Sequence, residues 1–504
     1  MLASVRSATL VGVDGQPVTV EVHVAPGLPA YHVVGLPDAA VRESRERVRA
    51  AVLSSGLSFP NTRITVNLAP GGVRKSGSGL ELAVALGVLA AADELPSGVL
   101  DGVAVLGELG LDGSVRAVPG TLALVDALAR RGTSAVIVPC ANAAEASLVR
   151  DVRVRAARTL AELRACLQGE EGWPEWAVLP RGGASPQRHH VTDDEPLDLA
   201  EVRGLAFARR ALEVAAAGAH HLLYVGPPGT GKTMLARRLG GILPPLEHHE
   251  ALEVTRIHSA AGETVGGRLI TAPPFRAPHH TASTASLVGG GSGRPRPGEV
   301  TLAHRGVLFL DELGEFAPAA LDALRQPLEE RWVRIARQGS SLAFPASFQL
   351  AACTNPCPCG LGAPSCRCSE VQRARYRRRL SAPFLDRFDI RVRVTAPEPR
   401  DVPGESSTVV AARVRAAVER QRARYADWPW RQNAHVPAGA VDLLLGLAPD
   451  ADAAWRALIG DRLLTGRGAA RIRRVARTLA DLDDVREIVP AHLESAALLR
   501  SDAP

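Results

Sequence analysis

Residues 226–233 read Gly-Pro-Pro-Gly-Thr-Gly-Lys-Thr, the full spacing of a phosphate-binding loop, G-x-x-x-x-G-K-[ST]. Gly226, Gly229 and Gly231 let the backbone curl with its N–H groups inward, and Pro227, Pro228 and Thr230 fill the intervening positions. Lys232 is expected to reach the outer phosphates of ATP, the Thr233 hydroxyl to ligate Mg2+, and Met234 to begin the exit from the loop. The flanks agree: His221 to Val225 is short, apolar and strand-like, and Met234 to Leu239 is helix-forming.

Hydrolysis requires a second acidic element. Val307 to Leu310 reads as a buried strand that ends in Asp311 and Glu312. Asp311 is placed to enter the Mg2+ shell, and Glu312 to orient and activate the attacking water. A third strand, Phe348 to Asn355, offers the Asn355 amide at its tip to hold that water or sense the γ-phosphate, although Asn-Pro is also a turn signal. Arg387, in Pro383-Phe-Leu-Asp-Arg-Phe-Asp389, suits a finger inserted into a neighbouring subunit's site; local pairing with Asp386 or Asp389 is the open alternative.

Cys357, Cys359, Cys366 and Cys368 lie within twelve residues. As thiolates they suit a tetrahedral structural Zn2+, although the C-x-C pairs are tighter than the usual C-x2–4-C; reduced cysteines in a Gly/Pro loop are the alternative. Cys353 is expected in the core, and Cys140 and Cys166 are isolated. Residues 371–393 carry eight arginines (373, 375, 377, 378, 379, 387, 391 and 393) against two acids, which fits DNA phosphate contact or a subunit interface. Arg276, His279, His280, Arg294 and Arg296 are candidates to line a pore. The adjacent histidines suit loop-structuring or substrate contact better than a shared metal. Aromatic residues are 4% of the chain, too few for a base-stacking platform, so nucleic-acid binding would run through the backbone and tolerate any sequence.

The elements that must position these groups fall into blocks. A chain of 504 residues exceeds one core. Residues 1–165 read as an α/β module, with strands at 18–24, 63–68 and 103–106 and a last strand at 135–138. Helices are expected at 38–53, 80–92 and 121–131. Residues 166–195 read as a linker, 196–400 as the phosphate-loop α/β core, and 401–504 as helices. The net charge of +6 permits an acidic partner. No apolar run spans a membrane and the N-terminus lacks a secretion pattern, so a cytoplasmic protein is expected.

Taken together, the phosphate loop, Leu310-Asp-Glu312, Asn355 and Leu385-Asp-Arg-Phe-Asp389 resemble AAA+ ATPases. Phe275-Arg-Ala-Pro-His-His-Thr-Ala-Ser283, Leu287-Val-Gly-Gly-Gly291 and the run from Pro295 to Leu313 narrow this to the magnesium-chelatase-like ATPases of the YifB/ComM group. The resemblance extends to Val34-Gly-Leu-Pro-Asp38 near the N-terminus. It implies a ribosomal-S5/Lon-like α/β domain, an AAA+ core and a C-terminal helical lid. It also implies Asn355 as sensor 1, Arg387 as arginine finger, and Arg467 at sensor 2 with Arg471 as the second choice. A homo-hexameric ring working on branched or single-stranded DNA follows from the likeness, as a branch-migration helicase in recombination or natural transformation. The alternatives are a magnesium-chelatase subunit driving metal insertion and a protein-remodelling ATPase. A Lon-type peptidase is disfavoured, because Gly79 stands at the nucleophile position and Leu122 at the lysine position; Ser78 and Lys75 are the nearest groups of those types.

Overall fold

Two long strands open the chain, β1 (Leu2–Val11) and β2 (Asp14–Ala25), paired antiparallel from Leu2 against His23 to Val11 against Asp14. They belong to a computed structural model. It describes residues 1–72, 75, 77–170, 172–174, 177–179, 197–263, 266–291, 295–337, 340–396, 402–462 and 465–500. The chain divides into two units: Met1–His189 with His248–Thr271, and His190–Glu247 with Ala272–Pro504.

In the first unit the further strands are β3 (Ala30–Val34), β4 (Arg63–Ala69), β5 (Val103–Val105), β6 (Glu108–Leu109), β7 (Val115–Arg116), β8 (Ala135–Pro139), β9 (Arg153–Ala157) and β10 (Val178–Leu179). A mixed eight-stranded sheet runs β10-β9-β8-β5-β1-β2-β4-β3, and β6 and β7 form a separate hairpin. Alternation along the strands covers both faces. Val5, Val20 and Val22 point to one core with Leu82 and Leu86 of the helix Glu81–Ala91, whereas Ala8 and Leu10 point to another with Leu122 and Val125 of the helix Thr121–Ala129. Each fully buried leucine of this kind contributes about 1.5–3 kcal/mol.

Three features depart from the pattern expected along the sequence. The strand at 135–138 is not the last, because β9 and β10 extend the sheet beyond it; outward-facing Arg153 and Arg155 dilute the apolar signal of β9, while Val154 and Ala156 point inward. Residues 166–179 are folded rather than linking: the helix Leu160–Gln168 ends on left-handed Gly169, and the Arg155 guanidinium lies 4.5 Å over the Trp173 ring. The remainder of the expected linker, 180–195, lies outside the described residues. Finally, the helix His248–Ala261, from within the stretch 196–400, packs in the first unit. Its Arg256 binds Asp14 at 2.8 Å and Asp126 at 3.1 Å, and Ser259 meets the Glu145 carboxylate.

The second unit holds β11 (Leu222–Val225), β12 (Phe275–Arg276), β13 (Gly289–Gly290), β14 (Arg296–Pro297), β15 (Val307–Leu310), β16 (Trp332–Arg337), β17 (Ser340–Pro345), β18 (Gln349–Thr354) and β19 (Ile390–Arg393). Five of them form a wholly parallel sheet in the order β12-β15-β18-β11-β19. β11, β15 and β18 are buried along their entire length, as strands covered on both faces must be. The pairs β13–β14 and β16–β17 are hairpins outside that sheet.

Beyond residue 402 the described chain is helical, with Ser407–Arg424, Ala451–Arg462, Gly466–Leu482 and Pro490–Leu498 as its main elements. No described helix is long and apolar enough to cross a membrane. A buried polar knot ties these helices together. Asp481, fully buried, accepts from Arg477 at 3.2 Å, Arg424 at 3.0 Å and Asn433 at 2.9 Å.

Removing that carboxylate strands the Arg477 guanidinium without its charge partner. Asp481→Ala is therefore expected to lower stability by about 3–5 kcal/mol, read from urea midpoints; a loss under about 1 kcal/mol would show that the knot is solvated rather than buried.

Candidate functional site

The phosphate loop leaves the sheet at the C-terminal end of β11, and its first glycine has no room for a side chain. A Cβ on Gly226 would lie 2.2 Å from the Val394 carbonyl oxygen. Gly229 and Gly231 take φ of +75° and +85°, which turns the loop into the helix Lys232–Arg237, and Thr230 closes it with a 2.9 Å bond to the Pro227 carbonyl. The Lys232 ammonium donates to the carbonyls of Gly226 at 2.7 Å and Pro227 at 2.6 Å, and reaches Asn355 Oδ1 at 3.4 Å. Burial pushes its pKa below the ordinary lysine value. This cation is held over the loop by acceptors that phosphate oxygens can replace.

Sheet register brings the acids to the same place. Leu310 lies opposite Ala352 of β18, and Thr354 lies opposite Val225 of β11, so the three strands deliver Asp311, Asn355 and Gly226 along one edge. Asp311 Oδ1 accepts from Thr233 Oγ1 at 3.2 Å. Octahedral Mg2+ with ligands near 2.1 Å spaces adjacent oxygens by about 3.0 Å, so this hydroxyl–carboxylate pair fits two positions of such a shell. Glu312 follows with φ +51°, a left-handed backbone that costs a non-glycine residue about 1–2 kcal/mol. Its carboxylate lies 3.2 Å from His280 Nδ1.

Three partners of the site were not singled out for these contacts in the sequence. His280 stacks on His279 with ring centroids 4.1 Å apart, so the histidine pair structures the loop around Glu312. Arg276, expected among pore-lining groups, is ion-paired with Glu299 at 2.8 Å; Arg296 is exposed on β14; Arg294 lies outside the described residues. Tyr376 bonds Thr354 Oγ1 at 3.0 Å and the Asn355 carbonyl at 3.2 Å. Being the only aromatic in an arginine run was its one visible signal.

Arg387, Arg467 and Arg471 stand elsewhere. With His221, Arg331 and Arg474 they line a cavity of about 380 Å³ at the N-terminal ends of β11, β18 and β19. The phosphate loop departs from the opposite end of β11, a strand of four residues at roughly 3.3 Å each. Arg387 pairs with neither Asp386 nor Asp389: it donates to the Pro383 carbonyl at 3.0 Å and bonds Glu329. Arg471 takes both aspartates, Asp386 at 2.9 Å and Asp389 at 3.3 Å. The Nε atoms of Arg387 and Arg474 have no hydrogen-bond partner among the described residues.

The arginine run divides by environment. Arg373, Arg375, Arg377 and Arg378 are exposed on the helix Glu370–Arg379, while Arg379 binds the Gly314 carbonyl at 3.0 Å and Glu315 at 3.1 Å. Arg391 bonds the Leu385 carbonyl at 2.6 Å. The four clustered cysteines converge, with Cys357 Sγ 3.3 Å from Cys359 Sγ and 3.6 Å from Cys366 Sγ, and all four sulfurs within 4.8 Å of one another. Cys353 is buried in β18, as expected. In the first unit, Ser78 bonds Glu108 and Lys75 bonds the Pro70 carbonyl, and a Cβ on Gly79 would press on Val118 at 2.9 Å.

Known proteins align with this arrangement along the whole chain. The family models described as magnesium chelatase, subunit ChlI, as subunit ChlI of Mg-chelatase, and as magnesium chelatase, subunit ChlI C-terminal match residues 198–402, 20–142 and 404–500. An uncharacterized protein of Mycobacterium tuberculosis is 46% identical over 94% of each chain. The uncharacterized protein YifB of Salmonella typhimurium is 41% identical over 99% of this chain and 97% of its own. The competence protein ComM of Haemophilus influenzae is 40% identical over 98% and 96%. A shorter match, 32% identical over 27% of this chain, is to Lon protease 2 of Bacillus subtilis.

His221 ties the cavity to the sheet and generates a pH dependence. Its Nδ1 accepts the Leu350 N–H at 3.0 Å, and burial pushes the imidazole down to about 4 against the opposing pull of Asp389. The unfolded chain takes up this proton near 6.5 and the folded chain does not, so stability is expected to fall as pH drops from 6.5 to about 4. The loss is roughly 1–3 kcal/mol. His221→Asn keeps an acceptor and should flatten that part of a urea-midpoint profile; parallel profiles for the two proteins would remove His221 as the cause.

Proposed function

The chain belongs to the YifB/ComM family of magnesium-chelatase-like AAA+ proteins, and from that premise we propose that it is an ATP-hydrolysing ring motor acting on DNA. In its most specific form it is a branch-migration helicase serving recombination or natural transformation. The observation that carries the reading is the convergence of Lys232, Thr233, Asp311 and Asn355 at the ends of adjacent parallel strands.

Lys232 exchanges its two loop carbonyls for the outer phosphate oxygens of ATP, and Thr233 and Asp311 hold Mg2+. The bound ion offsets charge on the phosphates. Glu312 turns from His280 to accept a proton from water, while the Asn355 amide fixes where that water lies. Pro228, Gly229, Gly231 and Met234 shape the cradle. Arg387 and Arg467 serve the site of the next copy, because they face away from their own phosphate loop; this supports a closed ring, assigned as a homo-hexamer. A structural Zn2+ on Cys357, Cys359, Cys366 and Cys368 belongs to the same reading.

DNA enters through the exposed arginines of the helix Glu370–Arg379, which the Tyr376–Asn355 bond links to the nucleotide site. The printed name of the relative ComM, a competence protein, points the same way. The matched chelatase models favour a second reading, Mg2+ insertion into a porphyrin, in which the ATPase would ignore DNA.

Glu312→Gln is expected to cut turnover by about 10²–10⁴-fold and Arg387→Ala by about 10³-fold or more, both with nucleotide binding retained. Unchanged turnover in either removes that residue from the mechanism. Forked or four-way DNA should stimulate ATP hydrolysis. Replacing Arg373, Arg375, Arg377 and Arg378 by alanine should flatten the slope of log affinity against log salt by about 3. Absence of both stimulation and salt-dependent binding would reject the DNA motor; porphyrin-dependent Mg2+ insertion with added partner subunits would establish the second reading.

A further inference from the structure

The loop 357–368 joins Asn355 to the arginine helix, and its sulfurs form a set of defined size. A Zn2+ ion with four Zn–S bonds near 2.3 Å spaces its sulfurs by about 3.8 Å. Cys357–Cys359, Cys357–Cys366 and Cys359–Cys366 stand at 3.3, 3.6 and 3.9 Å. These separations are far beyond the roughly 2.05 Å of a disulfide. Two backbone amides already donate to sulfur, Cys359 N to Cys368 at 3.3 Å and Gly362 N to Cys357 at 3.4 Å, an arrangement that favours thiolates. Four thiolates this close repel unless a cation lies among them. A tetrahedral all-sulfur set selects Zn2+ or iron, and isolated thiolates with no inorganic sulfide select Zn2+.

The same loop lies against both halves of the nucleotide site. Gly360 and Gly362 take φ of +80° and +70°, bending the chain back. A Cβ on Gly360 would come within 2.7 Å of Pro228 in the phosphate loop, and one on Gly362 within 3.0 Å of Pro356, next to Asn355. At its far end, Ser369 caps the arginine helix through a reciprocal bond with Gln372, one residue past Cys368. One turn further on, Tyr376 returns to the Asn355 carbonyl.

We propose that one Zn2+ held by Cys357, Cys359, Cys366 and Cys368 braces the nucleotide site, fixing Asn355 and Pro228 relative to each other, so that hydrolysis requires the ion while nucleotide binding does not. The coupling, unlike the metal site, rests on the ATP-hydrolysis reading above. Lys232 and the loop backbone hold phosphates without help from the cysteine loop. Placing water with Asn355 needs that strand tip held still.

The test uses the full chain. Metal analysis is expected to find about one zinc and no iron per chain, and Co2+ replacement to give the visible bands of a tetrahedral tetrathiolate. Cys366→Ser with Cys368→Ser should abolish both signals and lower ATP turnover at least about tenfold, with thermal stabilisation by ATP retained. Mild chelation of the unmodified protein should do the same, and Zn2+ re-addition should restore turnover, which separates ion loss from misfolding. Neither zinc nor a cobalt spectrum overturns the metal site, and stoichiometric iron overturns its identity. Zinc lost with turnover unchanged overturns the brace alone. If the zinc-loaded protein never hydrolyses ATP, the hydrolysis reading fails while the metal readout stands.

Discussion

The placement of β18 between β11 and β15 governs the second unit. Parallel pairing with a fixed register means that all three strands end at one edge, so groups separated by more than 120 residues arrive within hydrogen-bond reach. Shifting any of these strands by one residue would turn its side chains to the opposite face and separate Lys232, Asp311 and Asn355. The register is held because each strand is apolar on both faces, and the polar groups sit just past the last buried residue: Gly226 after Val225, Asp311 after Leu310, Asn355 after Thr354. Chemistry and core therefore share a boundary one residue wide.

That boundary explains what was legible in the sequence. A short apolar run followed at once by Gly-rich, acidic or amide residues is a local pattern, and it placed the phosphate loop, Asp311, Glu312 and Asn355 correctly on strand ends. The first unit was legible where alternation was clean, as in β2 and β4, and illegible where arginines occupy the outward positions, as in β9. Long-range choices left no local trace. Nothing near Arg387 indicates that Glu329 rather than Asp386 would bind it, since two aspartates adjacent in sequence lose to a residue fifty-eight positions away. The cysteines lay between these extremes: their spacing announced a cluster, but only the left-handed turns at Gly360 and Gly362 show how pairs so tightly spaced converge.

Charge is distributed by task along one sequence run. Arginines whose guanidinium is held by carbonyls or carboxylates, such as Arg379 and Arg391, set loop positions. Those exposed on the helix Glu370–Arg379 give a field with no fixed partner, suited to a polymer of phosphates. The cavity group differs from both, since Arg387 and Arg474 are partly buried yet keep an unsatisfied Nε. Leaving such groups unmatched carries a desolvation cost, which an incoming anion would offset.

The helix His248–Ala261 gives the chain an unusual inheritance. The polypeptide passes between the units three times, near residues 189, 247 and 271, rather than once. A gene fusion or deletion with its joint in the segment after residue 179 would carry the eight-stranded sheet away from a helix that covers Thr121–Ala129, leaving Ala251, Val254 and Ile257 to face water. Either product would be poorly soluble. Recombination during evolution thus has no clean place to cut, and the two units descend together as a single heritable block.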